Sequence, residues 1–198
     1  MNKLAKFIST IFHPVLLPTW MFLVIIASDL YKILFINVGL CFAIVFVTTF
    51  VFPIISMFLL KKFKVIKSLM MESREERFFP LFVMVVFLYA TTRFFKGISM
   101  LSFYNFYLTC NMLLCVVVFW VNLFWKISLH GIGWGAFSAT LLILATMSAE
   151  TYLPFFIISI FVSGIVGSAR LYLKSHNESQ VYVGFIVGFI TTLVIYIL

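Results

Sequence analysis

The sequence predicts an all-α integral membrane protein, a bundle of six or seven transmembrane helices. Three observations predict it. Of 198 residues, 64% are hydrophobic and only 10% charged, against about 25% charged in a soluble domain. Mean hydropathy is +1.20. The apolar runs are also continuous, as in FINVGLCFAIVFVTTFVF from Phe35 to Phe52, whereas a strand of an outer-membrane barrel alternates polar and apolar residues. A run of about 20 apolar residues spans the bilayer as a helix.

Seven apolar segments follow in order, at roughly 14–29, 33–60, 79–95, 97–125, 130–148, 151–169 and 180–198. The first carries Lys3 and Lys6 ahead of it like a signal peptide, but in so hydrophobic a chain it reads as a retained helix. The breaks are the N-terminal arm, DLYK at 29–32, the long basic stretch at 61–80, RFFKG at 93–97, 125–131, SAET at 148–151, and 168–180. No linker or repeat divides residues 1–198, so they form a single transmembrane helical domain. Cys41, Cys110 and Cys115 lie in apolar runs without metal or redox spacing and read as core residues.

Successive crossings bring 61–80, 125–131 and 168–180 to one membrane face, together with the N-terminal arm. The other face holds only Lys32, Arg93 and Lys96, so the first holds eleven of the fourteen Lys and Arg. In a soluble protein a net charge of +8 would suggest nucleic acid; here the positive-inside rule accounts for it and makes the basic face cytoplasmic. Anion binding by some of these side chains is the competing explanation. With Lys67, Arg74, Arg77 and Arg170 set aside as binders, seven still stand against three. A bacterial inner (plasma) membrane is the expected location.

The basic face also carries the chemistry. In RLYLKSHNESQ, from Arg170 to Gln180, Ser175 and Glu178 fit a capping box, which puts His176 in the first turn of the last helix. Free backbone N–H groups and the helix dipole favour an anion there and a neutral imidazole. Gln180, four residues on, shares a helix face with His176 and can accept from one ring nitrogen. Arg170 closes the preceding helix, where its planar fork can hold phosphate oxygens. An interfacial His that merely tolerates the headgroup region is the plainer account of His176.

His130 opens the fifth helix in KISLHGIGWGAF. Gly131, Gly133 and Gly135 permit close backbone approach or simply serve helix packing; His130 could act as a general acid. In KSLMMESREERFFP, residues 67–80, a helical wheel nearly eclipses Lys67 and Arg74 and puts Arg77 nearby, with Glu72 and Glu76 turned away. A solvated amphipathic connector explains that basic face equally well. Pro80 falls in the first turn of the third helix.

This order of motifs resembles the type 2 phosphatidic acid phosphatase superfamily, whose pattern is Lys, six residues, Arg-Pro; then Pro-Ser-Gly-His; then Ser-Arg, five residues, His, three residues, Asp. Arg170, His176 and Gln180 match the third motif, with Gln180 in place of Asp and Ala169 in place of Ser. Ile127-Ser128-Leu129-His130 keeps the Ser and His of the second. Lys67 and Arg74 have the spacing of the first, although Glu75 follows instead of Pro; Arg77 with Pro80 is another alignment. The resemblance covers Lys67 to Gln180. It implies a metal-independent hydrolase of lipid phosphates or pyrophosphates that needs no cofactor. His176 would be the nucleophile forming a phosphohistidine, His130 the acid, and Gln180 the group orienting His176. Arg170, Ser128 and one or more of Lys67, Arg74 and Arg77 would hold the phosphate of a membrane lipid.

The departure at Gln180 keeps a rival open. An Asp would stabilise the developing imidazolium, whereas Gln orients it without charge. A non-catalytic lipid-phosphate binding protein or transporter could use the same pocket. A channel finds few polar residues to line a pore. A metalloenzyme finds only His13, His130 and His176, without carboxylates at ligand spacing; His13, before Pro14, reads as interfacial.

Overall fold

A computed structural model describes residues 2–28, 37–68, 73–98 and 101–198. The break at 29–32, with Lys32, and Glu72 of the basic stretch lie outside the described residues. Of the described residues 86% are helical. Among them seven stretches, from Lys3–Ser28 to Glu178–Ile197, are long and apolar enough to cross a membrane. The chain is an all-α integral membrane protein.

In order the helices are α1 (Asn2–Ile11), α2 (Leu17–Ser28), α3 (Val38–Phe46), α4 (Phe52–Lys62), α5 (Phe78–Phe94), α6 (Ser102–Phe124), α7 (Leu129–Met147), α8 (Ala149–Tyr172) and α9 (Glu178–Ile197). Their contacts group them into two compact units, residues 1–28 with 127–198, and residues 29–126.

In the second unit, α3 runs into α4 through a turn of π-helix, Val47–Val51. Pro53, which has no N–H to donate, follows in the first turn of α4. A proline and a widened turn are ordinary causes of a helix irregularity. Thr91 of α5 donates to the Thr48 hydroxyl at 2.7 Å, which ties α5 to that turn. The helix expected over 67–77 does not form in its described part. Lys67 lies in a bend and Ser68 in irregular chain, and among the described residues of the stretch only Glu75–Arg77 closes a single 3-10 turn. The Glu76 carboxylate accepts from the Lys67 backbone N–H at 2.8 Å, so the side chain closes a loop where a helix would have used a backbone carbonyl. Pro80 does fall in the first turn of α5.

The first unit is built around α7. Of its apolar window 78% is buried, against 22–33% for the other spans. Its residues explain this, because from Gly131 to Thr140 it alternates small with apolar side chains and exposes none of them. The closest packing is with α9. A Cβ on Gly135 would collide with the Phe185 carbonyl, and one on Gly188 with the Ile132 carbonyl, so glycine at both positions is what lets the backbones meet. Gly131 faces Val181 and Phe185 while Gly135 faces Phe185 and Phe189. Both helices therefore advance in the same direction, and their N-termini lie at one end of the unit.

Candidate active site

Four chain segments meet at that end. The first is the close of α8. Leu173 caps it, Lys174 turns into the left-handed region at φ 52°, and the N–H groups of Lys174 and Ser175 return to the carbonyls of Leu171 and Arg170 at 2.9 and 3.2 Å. This is a Schellman ending, reached without glycine. It takes the Ser175 N–H into α8.

The capping box of α9 accordingly lies two residues later than expected. Asn177, not Ser175, is the N-cap: its Oδ1 accepts from the Gln180 N–H at 2.9 Å. Gln180, not Glu178, answers it, its Oε1 accepting from the Asn177 N–H at 3.2 Å. Both frames satisfy the pattern, and the Schellman ending selects the second. His176 therefore sits just ahead of the N-cap rather than in the first helical turn.

This arrangement determines which proton His176 carries. The Asn177 N–H can only donate, so the amide atom facing it is the oxygen of Gln180. The same Oε1 lies 2.9 Å from His176 Nδ1. Nδ1 must then be the protonated nitrogen, and in the neutral ring the lone pair belongs to Nε2.

The third segment is the start of α7. Ser128 is its N-cap, with Oγ accepting from the Gly131 N–H at 3.3 Å. Its own N–H donates to the Gln180 carbonyl at 3.1 Å, joining the beginnings of α7 and α9. His130, one turn in, is buried. Its Nε2 lies 3.0 Å from the Ser9 carbonyl oxygen and 3.3 Å from Ser9 Oγ. A carbonyl only accepts, so His130 carries its proton on Nε2. The two histidines thus hold opposite tautomers.

The fourth segment, α1, is the N-terminal arm, which the sequence presented as a polar break. Arg170 Nη1 donates to Ser9 Oγ at 2.8 Å, so one serine bridges Arg170 and His130. The buried Arg170 Nε meets no acceptor among the described residues. His13 stands edge-to-face against His130, with ring centroids 5.0 Å apart, and its Nδ1 caps the turn Pro14–Leu16 by accepting from the Val15 N–H. Trp134 of α7 donates to the Phe12 carbonyl at 3.1 Å and holds the end of α1 in place.

Ser128, His130, Arg170, His176 and Gln180 thus belong to one unit, and the structure brings them together with Ser9 and His13, neither of which sequence reasoning chose. Lys67, Arg74 and Arg77 belong to the other unit. There Lys67 is exposed and Arg77 is buried at the start of α5. Arg74 Nη1 donates to the carbonyls of Leu123 and Phe124 at 3.1 and 2.8 Å, closing the end of α6. Asn122 Nδ2 donates to the Arg74 carbonyl at 2.7 Å.

Compared with protein-family models, with curated proteins and with solved structures, the chain matches none of them.

Proposed function

We propose that this protein is a metal-independent membrane phosphatase that hydrolyses a lipid phosphate or pyrophosphate through a phosphohistidine. The observation that carries the proposal is the hold of Gln180 on His176, which leaves the lone pair on Nε2 and the proton on Nδ1. Nε2 attacks phosphorus while Arg170 binds the non-bridging oxygens, and His130, protonated on both nitrogens beside the bound phosphate, gives its Nε2 proton to the departing lipid oxygen and becomes a neutral ring. The P–O bond breaks as the P–N bond forms. Water then attacks the phosphohistidine, His130 takes its proton, and inorganic phosphate leaves. The resemblance of Arg170, His176 and Ser128-Leu129-His130 to the type 2 phosphatidic acid phosphatases supports the same assignment. The membrane is a bacterial inner membrane and the basic face is cytoplasmic, in line with the eleven-to-three distribution of Lys and Arg over the fourteen.

One observation favours a lipid-phosphate binder or transporter instead: Gln180 supplies orientation without the charge that would stabilise an imidazolium. Phosphate release decides between them. Purified protein in nanodiscs, given lipid phosphates and pyrophosphates with chelator present, releases phosphate from at least one, and His176→Ala abolishes release. Binding without release from any lipid establishes the binder, and undiminished release by His176→Ala refutes the nucleophile. For orientation, Lys62→Cys in a background lacking Cys41, Cys110 and Cys115 resists impermeant thiol reagents in intact cells; ready labelling would turn the basic face outward.

A further inference from the structure

The hold of α1 on the rest of its unit is unusual for what it is made of. Turned at about 100° per residue, the helix has three faces. Lys3, Lys6 and Thr10 are exposed on one, and Leu4 and Phe7 are exposed on another, with 63% and 61% of their surface open. The third, buried face consists of Ala5 and Ser9. It buries little apolar surface, and its polar contacts are those of Ser9: the hydroxyl takes Arg170 Nη1, and the carbonyl takes His130 Nε2. A guanidinium N–H and an imidazole N–H converging on two oxygens of one residue is the donor arrangement that two oxygens of a phosphate group would meet.

We infer that Ser9 is a place-holder for phosphate: its two oxygens occupy Arg170 and His130 in the resting protein, and the phosphate group of the substrate exchanges with them on binding. Energetics favour the exchange. The hydroxyl and the carbonyl are neutral acceptors, whereas a phosphate oxygen is charged: the bond from His130 becomes charge-assisted, about twice as strong as a neutral one, and that from Arg170 becomes an ion pair. The buried Arg170 Nε, without an acceptor among the described residues, gains one in the exchange. Ser9 is thereby a positioning residue that keeps both donors aimed before substrate arrives. This inference rests on Arg170 being the anion-holding group of the phosphatase proposed above.

Phosphate binding by the full chain in phosphatidylcholine nanodiscs tests it, with inorganic phosphate in one arm and dioctanoyl phosphatidate in the other. Ser9→Ala removes the competing hydroxyl, and its Kd is expected to fall about fivefold, with a lower Tm in the absence of ligand. Ser9→Thr keeps the oxygen and binds as wild type does. Ser9→Asp puts a carboxylate on Arg170 and weakens binding by about tenfold or more. A purely structural serine predicts the contrary, with Ala and Asp both weakening binding or neither changing it, and either result overturns the inference. Should Ser9→Ala not fold, Ser9→Cys, whose thiol is only a weak acceptor, takes its place: tighter binding than wild type upholds the inference and unchanged or weaker binding overturns it. Tightening in either arm upholds the exchange, and the arm that shows it names free phosphate or lipid headgroup as the source. If wild type releases phosphate yet Ser9→Ala binds no tighter, the place-holder fails and the phosphatase stands. If no variant binds or releases phosphate in either arm, both fail.

Discussion

Arg74 and Arg170 both work at helix ends, one in each unit, and their partners differ in kind. Arg74 closes α6 on two backbone carbonyls, Leu123 and Phe124, which have no acceptor role inside the helix. Arg170 donates to a serine hydroxyl on another helix. If Arg74 departs, two backbone carbonyls lose their donor at once. A hydroxyl 161 positions away in sequence is an acceptor that a ligand can replace. The difference separates a structural arginine from one available to a substrate, even though both stand at positions where a phosphate-binding motif can be drawn.

The largest expected effect tests that separation directly. Arg170→Gln lowers kcat/KM for lipid phosphate about 10²- to 10³-fold, the usual loss for one transition-state donor, with a fall in Tm no larger than that of Ser9→Ala, which loses the same bond. Arg74→Gln does the reverse, costing about 1–2 kcal/mol of stability and leaving kcat/KM within about twofold. Comparable kinetic losses in the two variants would break the comparison. Next comes Gln180. Gln180→Glu retains an oxygen for Asn177 and for His176 Nδ1 and adds a negative charge beside the ring, which favours imidazolium and raises its pKa. The lone pair on Nε2 is then lost at a higher pH than in wild type, so the acid limb of the pH–rate profile moves upward, and turnover at the optimum rises severalfold. Gln180→Leu loses both bonds and falls about tenfold or more in kcat. A Glu variant with an unmoved acid limb would remove His176 from the titrating group. The smallest effect compares the units again. Lys64, at φ 60°, and Lys174, at φ 52°, are both left-handed residues that end α4 and α8. Lys64→Gly and Lys174→Gly each relieve about 1 kcal/mol of backbone strain, read as a rise in Tm, and unequal gains would mark the end whose surroundings compensate.

Hydropathy alone marked seven apolar segments, because a bilayer demands long uninterrupted apolar runs that few other environments tolerate, although the first candidate span begins at Lys3 rather than near residue 14. Capping was legible as a motif but not in register: Ser175 and Asn177 each precede a Glu or Gln by three residues, and only the Lys174 turn, a matter of backbone geometry, decides between them. In the described part of 67–77 the wheel does not hold, and Glu76 hydrogen-bonds the Lys67 backbone there, a competition between side chain and main chain that periodicity cannot register. Ser9 was invisible for another reason. Its partners are 121 and 161 residues distant, and nothing local distinguishes it from Thr10, which bonds its own helix at Lys6.

The connection from α8 to α9 has a consequence for how the chain can vary. It has five residues, 173–177, and four of their backbone N–H groups are already engaged: Leu173, Lys174 and Ser175 with the end of α8, and Asn177 with the Gln180 side chain. Loops usually absorb insertions and deletions at small cost. This one has no slack. A single added residue would open the Schellman ending or separate Asn177 from its amide, and would turn the imidazole of His176 away from Gln180. Among the chain's connections it is therefore a segment of fixed length, as intolerant of an insertion as the interior of a helix.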